Sequence, residues 1–252
     1  MKKLVFYFDI DGTLATHTGI TASNKQVLQQ LKALHHHVII SSGRPAWYIK
    51  DKFGSLIDGF ISSNGRHIEY HDEVLLDDFI SYELLQKIVD TCNTVKCGYL
   101  FVGKDTMYLG NKQYITTDLG YVKDVIEDFS LSDINIYMFD IYYQNENHYH
   151  QINEAFKDFI ILNDHGIGSA DASTLDINKG SAVKQLTKHL NLTKEDSFAF
   201  GDGNNDLEMF KSVGAAIAMG NGSSLAKEHA TYITDTVEND GIKKALEKYK
   251  IL

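Results

Sequence analysis

Two aspartates follow an apolar run near the start of this sequence. The stretch FYFDIDGTL places Asp9 and Asp11 two positions apart, so in an extended chain they lie about 7 Å apart on one side. Asp202 follows another apolar run far along the chain. Carboxylates held together beside an apolar core repel each other, and a divalent cation removes this repulsion. Since oxygen ligands without His or Cys suit Mg²⁺, these three residues predict a magnesium site.

Groups that can hold an anion accompany the aspartates. Magnesium in proteins commonly pairs with phosphate, and Lys179, at the start of a later helical pattern, adds positive charge. Ser42 and the backbone amides near Gly12 and Gly43 can donate hydrogen bonds to phosphate oxygens. Gly12 also lets the chain turn after Asp11 without a side chain that blocks an incoming anion. The residue types therefore predict a phosphorylated ligand.

The elements that carry these residues alternate between strand and helix. Residues 4–8 form a continuous apolar run, which is typical of a strand buried on both faces. Apolar residues at helical spacing follow in SNKQVLQQLKALHH, with Ser23 as the expected N-cap, and HVIISSGRP then begins with a second apolar strand. This order predicts a βαβ unit within a parallel sheet. Because ligands bind outside the carboxyl ends of such strands, distant parts of the chain are expected to meet in one pocket.

The middle of the chain has a different pattern. Within residues 81–174, short β-prone pieces such as CGYLFVG and INIYMFDIYYQ alternate with helical patterns such as SYELLQKIVDTCN. We therefore predict an inserted α+β domain over residues 81–174 and a discontinuous core domain over residues 1–80 and 175–252. Tyrosine is common in antiparallel sheets, so ordinary packing is expected for the tyrosines of the insert. These tyrosines are Tyr108, Tyr114, Tyr121, Tyr142 and Tyr143.

Composition argues against several classes of protein. The chain has 252 residues, of which 43% are apolar, and its formal net charge of −10 argues against nucleic acid or an anionic membrane as a partner. No window approaches the roughly eighteen consecutive apolar residues of a membrane span. Acidic residues interrupt the apolar N-terminal run, so a cytoplasmic location is expected. Cys92 and Cys97 are expected to be reduced thiols, and the pattern leaves the oligomeric state open.

Four ordered motifs resemble those of the haloacid dehalogenase (HAD) superfamily: DIDGTL, SSGRP, NKGSAVKQL and GDGNNDLEMF. The pieces SSNGRHI, AMGN and VENDGIKKAL are similar to the Cof-type phosphatases of that superfamily, whose inserted cap domain is of the C2B kind. The resemblance covers the core from end to end, and in the insert it is one of size and position. It implies an α/β fold with a Rossmann-like parallel-sheet HAD core and an inserted α+β cap of the C2B type.

The resemblance also implies a role for each motif residue. Asp9 would be the nucleophile that forms an aspartyl-phosphate, and Asp11 would be the general acid and base. Mg²⁺ would contact the carboxylates of Asp9 and Asp202 and the backbone carbonyl of Asp11. Asp206 would support the metal through water or orient Lys179. The groups that would hold the phosphoryl oxygens are Ser42, Lys179, Asn205 and the backbone around Ile10 and Gly43.

The activity implied is Mg²⁺-dependent hydrolysis of small phosphomonoesters, such as sugar phosphates or phosphorylated cofactors, with the cap closing over the substrate. A phosphomutase or phosphotransferase would share the first half-reaction and is an alternative. A non-catalytic module that binds phosphate or metal is another. Arg44 could reach the substrate or form only a surface ion pair. Asn64 and Gly65 could lie at the pocket or form only a turn.

Overall fold

The computed structural model describes residues 2–116, 125–164, 166 and 168–252. The chain divides into two compact units. The first, called the core unit below, comprises Met1–Asp77 and Ile177–Leu252. The second, called the insert unit below, comprises Asp78–Asp176.

Strands and helices are numbered in chain order. The strands in the described residues are β1 (Val5–Phe8), β2 (Ala15–Thr16), β3 (Gly19–Ile20), β4 (His37–Ser41), β5 (Gly59–Ser62), β6 (His67–Tyr70), β7 (Glu73–Asp77), β8 (Gly98–Gly103), β9 (Met107–Gly110), β10 (Val125–Ile126), β11 (Ile136–Tyr142), β12 (Ile160–Asp164), β13 (Ser169–Thr174), β14 (Ser197–Gly201), β15 (Ala215–Ala218) and β16 (Tyr232–Ile233). The α-helices are α1 (Ala22–Ala33), α2 (Ala46–Phe53), α3 (Tyr82–Val95), α4 (Glu146–Phe156), α5 (Lys179–His189), α6 (Leu207–Lys211), α7 (Ser224–His229) and α8 (Gly241–Lys248). Within the described residues, none of these helices is both long and apolar enough to cross a membrane.

The core unit is built on an eight-stranded sheet in the order β16-β15-β14-β1-β4-β5-β6-β7. The strands from β16 to β5 in this order run parallel, and β6 and β7 are antiparallel additions at one edge. The central strand β1 is buried along its whole length, with Phe6 and Phe8 on one face and Val5 and Tyr7 on the other. The continuous apolar run is therefore a strand buried on both faces, as predicted.

Helices cover both faces of the core sheet. Apolar side chains of α1, α2 and α8 pack in one cluster with Phe6 and Phe8, and those of α5, α6 and α7 pack in another with Val5 and Tyr7. Parallel strands are joined by such crossover helices, which leaves the carboxyl ends of the central strands together at one edge. The predicted α/β fold with a parallel-sheet core is confirmed.

Helix α1 begins earlier than the sequence pattern predicted. Its N-cap is Thr21, whose side chain accepts a hydrogen bond from the backbone N–H of Asn24 at 3.1 Å. Ser23 lies inside the first turn of the helix, so its prediction as the N-cap was wrong. Both residues have a suitable type for capping, and the path of the chain before the helix selects between them.

The insert unit has a six-stranded sheet in the order β10-β9-β8-β11-β13-β12. Its strand pairs are antiparallel except for the parallel pair of β9 and β10. Helices α3 and α4 pack against the sheet through side chains such as Ile88 and Phe156. Cys92 and Cys97 are buried free thiols, as predicted. The unit has the α+β arrangement with antiparallel strands that the sequence pattern predicted.

Tyrosines of the insert unit take part in its packing. Tyr143 belongs to the apolar cluster formed with α3 and α4, and Tyr108 packs against that cluster. Tyr142 lies in a second apolar cluster of the same unit, and Tyr114 is half-buried. Tyr121 lies outside the described residues.

Candidate active site

Residues of the first, second and fourth motifs lie at one edge of the core sheet. Asp9 follows β1, Ser42 follows β4 and Asp202 follows β14, and these strands are parallel neighbours. The backbone N–H of Asp9 donates to the carbonyl of Phe200 at 3.0 Å, so the strand pairing continues up to the site. Strand order thus brings together segments that are far apart in the sequence.

Lys179 is the buried cation of this site. Its side chain is 1% exposed, and its Nζ donates to Asp9 Oδ1 at 2.6 Å and to Asp206 Oδ1 at 2.7 Å. Helix α5 begins at this lysine, with Asn178 as an N-cap that accepts from the backbone N–H of Ser181. A buried ammonium group is tolerated only with such partners. The structure therefore places the lysine of the third motif between aspartates of the first and fourth motifs.

The charges of this cluster shift one another's pKa values. Burial alone lowers the pKa of Lys179, but attraction from Asp206 and Asp9 outweighs burial and raises it above its ordinary value. Burial raises the pKa of Asp9 to about 8, against the opposing effect of Lys179 and with a further contribution from Asp206. Burial, followed by repulsion from Asp206, raises the pKa of Asp202 to about 6. One lysine does not neutralise these carboxyl groups, so the site favours a bound cation.

The acidic side chains fit a hard divalent cation. Asp9, Asp202 and Asp206 each offer a carboxylate oxygen, and these oxygens lie within 4.8 Å of one another. Both oxygens of Asp206 already accept hydrogen bonds, one from Lys179 and the other from the backbone N–H groups of Asp202 and Gly203. Asp9 and Asp202 each keep an oxygen for which the described residues supply no donor. An all-oxygen donor set of this kind suits Mg²⁺.

The Asp11 carboxylate pairs with Arg44 and lies outside the carboxylate cluster. Nε and Nη2 of Arg44 donate to its two oxygens at 2.9 and 3.1 Å, a bidentate contact. The side chain of Asp11 is 57% exposed, whereas Asp9 is buried. The guanidinium group of Arg44 also lies over the ring of Tyr48, 5.1 Å from its centroid. Arg44 therefore lies beside the first motif.

The turns after β4 and β5 pack against each other. Ser42 is buried, and its Oγ accepts a hydrogen bond from the backbone N–H of Arg44 at 3.2 Å. The backbone N–H of Asn64 donates to the carbonyl of Ser42 at 3.2 Å. A Cβ on Gly43 would lie 3.2 Å from Asn64 Oδ1. Asn64 is therefore part of the same edge of the sheet as Ser42.

Gly65 joins this turn to helix α5. Its φ of +112° lies in the region that favours glycine, and a Cβ there would lie 2.5 Å from the carbonyl oxygen of Asn178. Asn178 directly precedes Lys179. The close approach at Gly65 therefore helps to fix where the lysine enters the site.

Backbone amides and one side-chain amide make up the rest of the predicted phosphate-binding set. Among the described residues, no acceptor is found for the backbone N–H of Ile10 or of Gly43, so both can donate to an anion. Asn205 lies on the turn between Asp202 and Asp206. A Cβ on Gly203 would lie 2.6 Å from the Oδ1 atom of Asn205. The contacts of the described residues do not link the Asn205 side chain to the buried lysine.

Two residues that sequence reasoning missed also shape the site. Thr13 is fully buried, and its hydroxyl donates to Asp202 Oδ1 at 3.0 Å. Asn24, in the first turn of α1, is buried, and its Nδ2 donates to the carbonyl of Leu14 at 2.9 Å. Thr13 lies within the DIDGTL motif and could have been proposed from its position after Asp11. No local pattern marks Asn24.

Known proteins resemble this chain along its whole length. It matches the haloacid dehalogenase-like hydrolases over residues 6–246. YkrA of Bacillus subtilis is 29% identical over 258 residues, which cover 100% of this chain and 99% of YkrA. The 5-amino-6-(5-phospho-D-ribitylamino)uracil phosphatase YcsE of Bacillus subtilis is 27% identical over 245 residues, which cover 96% of this chain and 93% of YcsE.

A solved structure supports the fold. The HAD subclass IIB sugar phosphatase BT4131 matches with a TM-score of 0.83 at 22% sequence identity, over 99% of this chain and 100% of BT4131. Three observations agree with membership of this family. They are the family match, the order of the four motifs, and the short distances from Asp9 to Lys179 and Asp202. The chain therefore belongs to the haloacid dehalogenase-like hydrolases and is an enzyme of the phosphoric monoester hydrolase type.

Proposed function

We propose that this enzyme hydrolyses small phosphate monoesters with Mg²⁺ and through a phosphoryl group carried on Asp9. The observation that carries the proposal is the buried Lys179 between Asp9 and Asp206, with Asp202 beside them. A structural ion pair needs one carboxylate for one lysine, whereas this cluster has an excess of carboxylates at the carboxyl edge of a parallel sheet. Such an arrangement can hold a cation and a phosphoryl group together.

The reaction proceeds in two displacement steps. In the first step a carboxylate oxygen of Asp9 attacks phosphorus and the bond between phosphorus and the leaving oxygen breaks. Asp11, protonated and released from Arg44, gives its proton to that oxygen. In the second step water attacks phosphorus and gives a proton to Asp11. The bond between Asp9 and phosphorus then breaks, inorganic phosphate leaves, and both aspartates return to their starting forms.

The remaining motif residues hold the phosphoryl group and the metal. Asp9, Asp202 and the backbone carbonyl of Asp11 would hold Mg²⁺, and Asp206 would support it through water while it orients Lys179. Bound there, Mg²⁺ would neutralise the negative charge of the carboxylates and of the phosphoryl oxygens. The groups that would hold the phosphoryl oxygens are Lys179, Ser42, Asn205 and the backbone N–H groups of Ile10 and Gly43. The residues that we propose for the rim of the pocket are Arg44, Asn64 and Gly65.

The substrate class is inferred from the relatives. The name of YcsE contains a phosphorylated ribitylamino-uracil, and BT4131 is called a sugar phosphatase. We therefore expect a small phosphorylated metabolite, such as a sugar phosphate or a phosphorylated cofactor. Residues 81–174 would act as a cap that excludes bulk water and selects the leaving group, with residues 1–80 and 175–252 as the core. A cytoplasmic location without nucleic-acid or membrane partners belongs to the same proposal.

Asp9→Asn tests the nucleophile. Asparagine keeps the shape of the side chain but cannot form the phosphoryl intermediate, so phosphate release from p-nitrophenyl phosphate should fall by at least about 10³-fold. Asp235→Asn is a matched control, because Asp235 is exposed and, within the described part of the chain, its side chain pairs only with Lys244. Its activity should equal that of the wild type. Substantial hydrolysis by Asp9→Asn, with the fold intact by circular dichroism, would contradict the assignment.

Product analysis tests the reaction type. Wild-type protein with Mg²⁺ should release inorganic phosphate from members of a panel of phosphorylated metabolites. An isomerised sugar phosphate, or transfer to a second acceptor without free phosphate, would instead show a phosphomutase or phosphotransferase, which shares the first step.

A further inference from the structure

Asn221, the last residue of the AMGN piece, connects two segments of the core unit that are distant in sequence. Its Nδ2 donates to the carbonyl oxygen of Gly12 at 2.8 Å, and its Oδ1 accepts from the backbone N–H of Val237 at 3.3 Å. The mechanism described above uses neither contact. Gly12 directly follows Asp11, so Asn221 holds the loop that carries the general acid and base.

The backbone on both sides of Asn221 is closely packed. A Cβ on Gly220 would lie 2.9 Å from the carbonyl carbon of Asp235, and one on Gly222 would lie 3.1 Å from Cα of Asp202. The backbone N–H of Gly220 also donates to the carbonyl of Asp235 at 3.0 Å. A side chain at either glycine would force its neighbours to shift, so the backbone of Asn221 is held between the C-terminal segment and the fourth motif. Its side-chain amide therefore meets the loop after β1 from a fixed position.

The peptide unit that accepts this hydrogen bond lies in a closely packed glycine turn. Gly12 has φ +82°, and a Cβ there would lie 2.3 Å from Asp202 Oδ2, so glycine is required. A glycine backbone changes conformation at little steric cost. The N–H of the Gly12–Thr13 peptide unit donates to the carbonyl of Ile10 at 3.2 Å, and Asn221 holds the carbonyl at its other end. The next residue, Thr13, donates its hydroxyl to Asp202 Oδ1 at 3.0 Å. Asn221 thus restrains a peptide unit that lies between Asp11 and the Thr13 hydroxyl.

We propose that Asn221 is a positioning residue for phosphoester hydrolysis, which fixes the Gly12–Thr13 peptide unit and so holds the loop of Asp11 against Asp202 through the Thr13 hydroxyl. The proposal rests on the proposed function, because it concerns the same loop. The hydrogen bond to Gly12 is exposed to solvent, and a single bond of this kind contributes little net stability. Its loss should therefore affect turnover more than unfolding, since a misplacement of about 1 Å slows a reaction about 100-fold.

Asn221→Asp tests the proposal, because aspartate keeps the shape of asparagine but its carboxylate cannot donate to the Gly12 carbonyl. Asn239→Asp is the matched control, with the same change in charge in the same C-terminal segment. Asn239 is exposed, and among the described residues its side chain has no hydrogen bond. With p-nitrophenyl phosphate and saturating Mg²⁺, kcat should be at least about tenfold lower in Asn221→Asp than in the control. KM should change by less than about threefold, because the phosphate-binding side chains of Lys179, Ser42 and Asn205 lie outside this loop.

Hydrogen exchange of the metal-free proteins supplies a readout that does not depend on turnover. In Asn221→Asp, exchange should rise in the peptide that covers residues 9–15 and should match the control elsewhere in the core unit. A double-mutant cycle with Thr13→Val adds a second check. If Asn221 acts through the Gly12–Thr13 peptide, the two losses in kcat should be less than additive.

The outcomes separate this proposal from the function on which it rests. Equal kcat in Asn221→Asp and the control would overturn the positioning role. A loss of kcat without a local rise in exchange, or with faster exchange throughout the core unit, would overturn it as well. If the wild-type protein released no phosphate from any ester while exchange still rose over residues 9–15, the proposed function would fail and the restraint by Asn221 would stand.

Discussion

Replacing Gly180 by alanine should disturb the site through the packing of two helices. Gly180 follows Lys179 in α5, and a Cβ there would lie 2.2 Å from the carbonyl oxygen of Glu208 in α6 and 2.9 Å from Ser212 Oγ. An ordinary van der Waals contact needs 3.4 Å or more. Because the nearest atom belongs to the backbone, α5 and α6 must separate by about 1 Å to admit the methyl group.

This separation should change both stability and turnover. Overpacking costs about 1–3 kcal/mol, and the higher helix propensity of alanine offsets up to about 1 kcal/mol, so the free energy of unfolding should fall by about 1–2 kcal/mol. Lys179 is adjacent, and the hydrogen bond from its Nζ to Asp9 is 2.6 Å long. A shift of about 1 Å breaks this bond, and kcat should fall about 100-fold.

Gly54→Ala is the matched control for this substitution. A Cβ on Gly54 would meet no atom within 4 Å, so the same chemical change has room there. Urea unfolding followed by circular dichroism gives the free energy of unfolding, and initial rates with p-nitrophenyl phosphate give kcat. The control should keep a wild-type kcat. Wild-type kcat and stability in Gly180→Ala would refute the argument that the close approach of α5 and α6 positions Lys179.

Three other predictions test the roles of individual charged residues in the site. Lys179→Met leaves Asp9 and Asp206 without their cation, so the metal-free protein should lose about 3–5 kcal/mol of unfolding free energy in urea. No loss would show that the lysine bridge is dispensable for stability. In single-turnover measurements of the first step, Asp11→Asn should slow release of the alcohol from an alkyl phosphate about 10²–10⁴-fold but release of p-nitrophenolate from p-nitrophenyl phosphate much less, because p-nitrophenolate leaves without a proton. Equal losses with both esters would contradict the role of Asp11 as general acid. Burial raises the pKa of Asp9 to about 8 and that of Asp202 to about 6, so the ligating forms of both are lost as pH falls through these values. Calorimetry should therefore find Mg²⁺ affinity at least about tenfold weaker one pH unit below the pKa of Asp202 than two units above it, and a constant affinity would argue against both aspartates as ligands.

Local patterns were sufficient for the fold class and for the types of the charged residues. The apolar run before Asp9 predicted a strand buried on both faces, because a strand between two helical layers has no solvent-facing side. The β-branched and aromatic runs of the middle segment predicted antiparallel strands, because these side chains pack well on a pleated surface. The polar residues after separate strands predicted a shared site, since parallel strands end at one edge of a sheet.

The N-cap of α1 is a feature that the local sequence pattern did not predict correctly. Thr21 and Ser23 have equally suitable side chains, and the chain path into the helix places Thr21 at the cap. Residue type alone does not indicate that path. The pattern therefore predicted the helix but not its first residue.

The contacts within the site depended on the tertiary structure in the same way. No spacing indicates that the Asp11 carboxylate pairs with Arg44, or that Asn221 reaches the carbonyl of Gly12. Such contacts follow from strand register and from how closely backbones approach at glycines, where one added methyl group would change the distances. The sequence alone determined which charged groups the enzyme has and the order in which they occur. The packed core unit decided which of their atoms lie within hydrogen-bonding distance, because that distance depends on every element between them.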